Sequence, residues 1–220
     1  MATTQTHREI QVTSVLGADV LLFRRMQARE GLSQLSEYQL ELFSERADLN
    51  IDDLLATQMS IAVDLPTGSS RYFSGHVSQF AFTGRQGRYA TYTAVLRPWL
   101  WFLSLTSDCR IFQSLSVPQI LKQVFASYSI ADVDTSGLSA SYAELTYCVQ
   151  YRESDLNFVS RLMEQEGIYY YFKSAAGRHT LVLVDAYGAH SPAPGYAQMP
   201  YRPGASEAIH DWCMSAEVQP

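Results

Sequence analysis

The run Tyr151-Arg152-Glu153-Ser154-Asp155-Leu156-Asn157-Phe158-Val159-Ser160-Arg161-Leu162-Met163-Glu164-Gln165-Glu166-Gly167-Ile168-Tyr169-Tyr170-Tyr171-Phe172 leaves few folds open. Ser154 is an N-cap candidate, because its hydroxyl can accept from an unpaired amide of the first helical turn. Asp155 just inside it places negative charge at the positive end of the helix dipole. At roughly 100° per residue, Leu156, Phe158, Val159, Leu162 and Met163 share one face, with Asn157, Ser160, Arg161 and Glu164 opposite. Gly167 supplies a left-handed stop, and Ile168–Phe172 then has the aromatic density of a strand. A helix running straight into a strand needs another layer to cover both apolar faces. The run predicts a core helix packed on a sheet, and it reads as scaffold rather than chemistry.

Upstream, the first hundred residues alternate with period two. Tyr38, Leu40 and Leu42 oppose Gln39 and Glu41; Ile61, Val63 and Leu65 oppose Ser60, Ala62 and Asp64. Pro66–Ser70 and Gly84–Gly87 read as turns flanking a strand over Arg71–Thr83, followed by one over Arg88–Arg97. With no βαβ alternation, these strands predict an antiparallel barrel or sandwich, interrupted by one short helix near Ile51–Leu55 after the cap Asn50. The texture changes at Arg97-Pro98. Pro98 suits the first turn of an apolar helix through Trp99–Leu103, and Ser116-Val117-Pro118 opens a second over Gln119–Ser127. A loop rich in Asp, Ser and Gly leads to a strand over Leu145–Gln150. A hairpin of Tyr169–Lys173 and Thr180–Asp185 follows the signature helix, so this region is α+β. Pro192, Pro194, Pro200 and Pro203 mark an extended linker, and Ala208–Val218 reads as one more strand with nothing of its own to pair with.

Composition narrows the function. Hydrophobic content of 47% against 17% charged describes a folded globular chain, and 220 residues suffice for one large domain or two small ones. A net charge of −6, with no basic cluster longer than Arg24-Arg25, argues against nucleic acid as a partner. No stretch approaches the roughly 18 apolar residues of a membrane span. Met1–Arg8 lacks the apolar stretch of a secretory signal, so a cytoplasmic location is expected unless a signal-independent machine exports the chain. Cys109, Cys148 and Cys213 fit neither a disulfide framework nor a zinc site, and three reduced, mostly buried thiols are expected.

The residues that tempt a catalytic reading each have a plainer one. His7, His76, His179, His190 and His210 are scattered without metal-ligand spacing, and His76 reads as a barrel-surface or hydrogen-bonded side chain. Glu153, Asp155, Glu164 and Glu166 are not an obvious convergent acid pair; a solvated or interfacial role is expected. Gly84-Arg85-Gln86-Gly87-Arg88 lies between two strands and reads as a hairpin turn, not a phosphate loop. Trp99, Trp101 and Phe102, or Tyr169-Tyr170-Tyr171, could stack a sugar, but core or subunit-interface packing accounts for them. No catalytic, cofactor-binding or metal-ligating residue is assigned.

The signature run resembles one from the VgrG spike proteins of type VI secretion systems. So do Glu30-Gly31-Leu32-Ser33, Tyr38–Phe43, Phe73-Ser74-Gly75-His76-Val77, Leu96–Leu103, Arg110–Val117 and Met199-Pro200-Tyr201-Arg202-Pro203, in family order. The resemblance implies a phage tail hub-like fold. Residues 8–96 would form a first antiparallel β-barrel, and 97–204 an α+β insertion domain ending in the Pro-rich linker. Residues 205–220 would be the first strand of a second barrel otherwise absent. It further implies a structural role without cofactor: a homotrimer that caps the Hcp tube, contacts the baseplate and carries needle and effectors into a target cell. Such a protein would be assembled in the bacterial cytoplasm and exported by sheath contraction. A hub of a contractile phage or phage-like particle is the alternative, with a cell-wall hydrolase behind it. The chain is expected to be an N-terminal piece or a truncated product of such a protein, and by itself a monomer or weak oligomer.

Overall fold

A computed structural model describes residues 3–65, 68–190, 198–201, 213 and 215–216. The chain divides into two compact units, Met1–Ala186 and Tyr187–Pro220. In the second, the described residues include a short 3-10 turn, Tyr187–Ala189, and a parallel bridge between Tyr201 and Cys213. Most of the strand expected at Ala208–Val218 lies outside the described residues, as do Pro192, Pro194 and Pro203.

The first unit begins with six antiparallel strands: β1 (Ile10–Thr13), β2 (Leu22–Arg29), β3 (Glu37–Ser44), β4 (Gln58–Asp64), β5 (Ser70–Gln86) and β6 (Tyr89–Arg97). They lie in the order β1-β4-β5-β6-β3-β2, and the sheet curls until β1 and β2 come near each other without sharing a ladder. Alternation does the work. Ala90, Tyr92, Ala94 and Leu96 of β6 face inward, in register with Ser44, Leu42, Leu40 and Tyr38 of β3. Each fully buried large side chain here contributes about 1.5–3 kcal/mol relative to exposure.

Two local expectations need correction. Ile51–Leu55 makes only a turn, closed by the Leu54 and Leu55 amides on the Ile51 carbonyl. Five residues cannot repay the nucleation of a helix. The turn placed at Gly84–Gly87 is shorter than expected. A bulge at Gly84, whose φ is +139°, lets β5 stay in register to Gln86, opposite Tyr89. Gly87 and Arg88 alone reverse the chain, with Gly87 at φ +59°.

After Pro98, Trp99–Ser104 forms a 3-10 turn, Pro98 standing at its cap rather than inside it. Next come β7 (Ser107–Phe112), α1 (Val117–Phe125), β8 (Val133–Gly137), β9 (Cys148–Ser154), α2 (Asp155–Gln165), β10 (Tyr169–Ala175) and β11 (Arg178–Val184). β7 and β9 pair as a two-stranded antiparallel ribbon, and β10, β11 and β8 form a second small sheet with β8 parallel to β11. The Ser116 amide donates to Gln119 Oε1 at 2.7 Å to open α1. Ser154 accepts the Asn157 amide at 3.1 Å to open α2. At the far end, the Ile168 amide reaches the Met163 carbonyl and the Gly167 amide the Glu164 carbonyl, with Gly167 at φ +68°, a Schellman stop.

The strand expected at Leu145–Gln150 lies later, at Cys148–Ser154, because its register with β7 runs up to the helix cap. β8 falls where a loop was expected. It can approach β11 because Gly137 has no side chain: a Cβ there would sit 2.5 Å from Val184 Cγ1 and 2.8 Å from the Leu183 carbonyl oxygen. Gly137→Ala is expected to cost about 1–3 kcal/mol by overpacking. Urea unfolding checks this, and an unchanged midpoint would mean that β8 shifts freely. Around these elements lies a second core with Trp99, Leu100, Val124, Phe158, Leu162 and Leu181, to which Leu35 of the first region also packs.

Candidate functional site: the junction between the two cores

The two cores meet where the tip of the β10–β11 hairpin rests on β4 and β5. Ser60 and Ser74 stand opposite one another in the β4–β5 register, their hydroxyls 2.6 Å apart. Ser74 Oγ donates to the Ala175 carbonyl at 2.8 Å, the Ser74 amide donates to Ser174 Oγ at 3.3 Å, and the Gly177 amide donates to Ser60 Oγ at 3.1 Å. Further along, the Ser33 amide donates to the Tyr170 carbonyl at 2.8 Å. Both Ser60 and Ser74 are buried, so these bonds seal groups whose desolvation would otherwise destabilise the fold.

Beside this seam two histidines meet. His76 of β5 and His179 of β11 lie edge to face with ring centroids 5.2 Å apart, and Phe102 packs on His76 at 5.5 Å. His179 Nε2 accepts the Trp99 amide at 2.7 Å, satisfying a free donor at the start of the 3-10 turn. Its neutral proton therefore sits on Nδ1. The Nδ1 atoms of both rings are buried without a hydrogen-bond partner among the described residues. Burial lowers the pKa of each ring, and for His179 burial with His76 beside it pushes the value down to about 4. His76 is thus buried, which corrects the barrel-surface half of the expectation for it, and two of the scattered histidines converge. Among the described residues no group of three His, Cys, Asp or Glu side chains could hold a metal ion.

The carboxylates also serve the fold. Asp155, expected in solvent or at an interface, is 5% exposed. It accepts from Gln150 Nε2 at 2.7 Å, Tyr128 Oη at 2.6 Å and Arg110 Nη2 at 2.5 Å. Burial alone would raise its pKa, but the Gln150 and Tyr128 bonds and the Arg110 charge outweigh that and hold it below the usual range. Glu153 binds the Arg161 guanidinium at 2.7 Å, which also donates to the Val149 carbonyl and lies over the Phe158 ring. Glu164 is exposed. Sequence reasoning missed Asp185, which gathers the Ser139 and Ala140 amides and the Tyr142 hydroxyl, each at 2.7 Å, and ties down the loop after β8. Those partners lie more than forty residues away, so no local pattern marks them.

Of the aromatics, Trp99 is fully buried against Phe125 and Tyr170 is buried, while Trp101, Phe102, Tyr169 and Tyr171 are half-buried. They pack; they do not form an exposed stacking platform. The outer face of the β7–β9 ribbon is different. Ile111 and Tyr151 are more than 60% exposed there, beside exposed Cys109. The thiols are therefore not mostly buried: Cys148 is buried and Cys213 intermediate. No helix among the described residues is long and apolar enough to cross a membrane.

Residues 29–220 match the model of the phage tail baseplate hub (GPD) family. The type VI secretion system spike protein VgrG1b of Pseudomonas aeruginosa is 50% identical over 224 residues, covering 100% of this chain and 30% of that protein. The chain thus spans about a third of the length of the curated relatives it matches. Among solved structures, the E. coli c3393 protein, a type VI secretion component with structural similarity to T4 bacteriophage tail proteins gp27 and gp5, overlays 84% of this chain and 52% of its own with a TM-score of 0.64 at 22% identity. The tail protein from Neisseria meningitidis MC58 overlays 90% of this chain and 55% of its own with a TM-score of 0.58 at 14% identity. These two likenesses establish the fold. With the curled sheet, the α+β layer and the ordered motifs already described, the chain belongs to the phage tail baseplate hub family and, within it, to the VgrG spike proteins.

Proposed function

We propose that this chain is the N-terminal hub of a type VI secretion spike and that its work is mechanical rather than catalytic. The 50% identity to VgrG1b along the whole of this chain, over 30% of that protein, carries the reading. The junction supports it: barrel and insertion are stitched by hydrogen bonds at Ser33, Ser60 and Ser74, as a part that passes load needs. Asp155, Glu153, His76 and His179, the groups nearest to a catalytic reading, are engaged with one another or with the core. In the intact protein the hub trimerises, caps the Hcp tube and meets the baseplate. It assembles in the bacterial cytoplasm and leaves by sheath contraction. The barrel is residues 8–96, the insertion with its linker 97–204, and a second barrel begins at 205.

Sedimentation of the intact protein with and without Hcp tests this. A trimer that co-sediments with Hcp rings, and that releases nothing from purified peptidoglycan, is the expected result. An intact protein that stays monomeric, or peptidoglycan turnover lost in Glu164→Gln or Glu166→Gln, would overturn the proposal.

A further inference from the structure

Among the described residues strand β8 ends its sheet, with β11 on one side and no strand on the other. In a parallel ladder, alternate residues turn their backbone groups toward the neighbour. Asp132 accepts the Leu181 amide at 2.8 Å, so Val133 and Thr135 direct theirs to the open side. The Thr135 carbonyl is taken by the Leu138 amide at 3.1 Å. β11 is the one strand beside β8 among the described residues, and no turn, loop or side-chain bond among them reaches the amide and carbonyl of Val133 or the amide of Thr135. Beside this edge, between β8 and α1, lies a groove of about 370 Å³. Leu121, Phe125 and Leu183 form its apolar floor, and Pro118, Ala126 and Val133 its walls. The one charged residue lining it is Lys122, which is exposed and makes no ion pair among the described residues.

We propose that this edge and groove form a docking site for an extended peptide segment with alternating apolar side chains and an acidic residue. The peptide adds a strand to β8, meeting the three free backbone groups. Its alternate side chains enter the groove, since neighbours of one parity point to the same face of a sheet. Its carboxylate meets Lys122, the charge complementarity that favours an acidic over a basic peptide. A small apolar molecule would fill the groove but leave the backbone groups unmet. The site is independent of the spike role, because it rests on β8, on α1 with its cap Ala126, and on Leu183 of β11 beneath them.

The test uses the whole chain, labelled with nitrogen-15, and blocked hexapeptides of alternating Val and Thr that end in Asp at either terminus or in Lys as a control. Saturable shifts at the Val133, Thr135 and α1 amides are expected for at least one Asp peptide below about 1 mM, a concentration suited to weak peptide recognition. Thr135→Pro removes one outward amide at an edge position where proline is tolerated, and is expected to weaken binding about tenfold. Ala126→Arg, at an exposed site, closes the groove and gives a second reading should the proline variant fold poorly. Lys122→Glu is expected to lower affinity for the Asp peptide about fivefold and to raise it for the Lys peptide. The proposal is overturned by shifts that do not saturate, or by binding that Thr135→Pro and Ala126→Arg leave intact. Val133 and Thr135 amides already slow to exchange in the free chain would overturn it too. Protection that grows with protein concentration alone would assign the edge to a second copy of the chain and likewise overturn it.

Discussion

Replacing Asp155 with alanine is expected to destabilise the folded chain by about 3–5 kcal/mol, the range for removing one member of a buried ion pair. The carboxylate is at once the partner of Arg110, of fully buried Gln150 and of the Tyr128 hydroxyl. Its loss leaves a guanidinium that is only 22% exposed with the more distant, exposed Asp108 carboxylate at 3.5 Å as its remaining ion-pair partner among the described residues. It also leaves the Gln150 amide without the acceptor at 2.7 Å, a second penalty of about 1–3 kcal/mol that overlaps the first. Because Asp155 is the first residue of α2 and Gln150 belongs to β9, the damage falls where ribbon and helix join. Urea unfolding at pH 7, followed by near-ultraviolet circular dichroism, gives the number. Asp155→Asn, which keeps one acceptor oxygen but not the charge, should fall between alanine and the parent. A loss below about 1 kcal/mol for alanine would show the site open to water, like an exposed ion pair.

Acid is expected to loosen the junction in two separable stages. His179 is neutral when folded, with its pKa at about 4 against 6.5 in an unfolded chain. Between those values the unfolded chain takes up a proton that the folded chain refuses, so stability falls as pH drops from 6.5 to 4. The total for this group is about 3 kcal/mol. Protonation would also set a ring N–H against the Trp99 amide that Nε2 now accepts. His76, lowered by burial, adds to the loss over the same side of its ordinary value. The carboxylates act later. Asp155 and Asp132 are held below their ordinary range, so their contributions stand above it and are lost only on further acidification. His179→Gln, whose side-chain oxygen can still accept the Trp99 amide, should flatten the profile from pH 6.5 to 4 and leave the steeper fall below it. Parallel profiles for parent and variant across the upper window would rule out His179 as the source.

The signature helix was legible because its instructions are local: a serine cap, a spaced apolar face and a glycine at positive φ lie within one stretch. The same holds for β3 and β6, whose alternation survives into the register of Leu40 with Ala94. What sequence could not supply were decisions made by distant partners. Nothing near Asp155 announces Arg110 or Tyr128, so its neighbours alone describe a helix-end charge open to water. His76 and His179 carry no common spacing, and only the seating of the hairpin on β5 brings them together. Asp, Ser and Gly dominate β8 and, taken locally, spell a loop. Its strand character comes from β11, through a contact that Gly137 alone permits. At Ile51–Leu55 the residue types suit a helix and Asn50 accepts the Asp52 amide as a cap does, but the segment is too short to repay nucleation.

The serine seam has a consequence for the order in which the chain becomes whole. Ser74 bonds a carbonyl 101 positions later, and Ser60 an amide 117 positions later. Loop closure grows only logarithmically with such distance, so the separation does little to weaken the seam; it makes the seam late. A ribosome delivers β1 to β6 well before Ala175 and Gly177 exist. The nascent barrel therefore waits with Ser60, Ser74 and His76 wet, a polar face that tolerates water. The joint through which the finished part would pass its load is among the last to close.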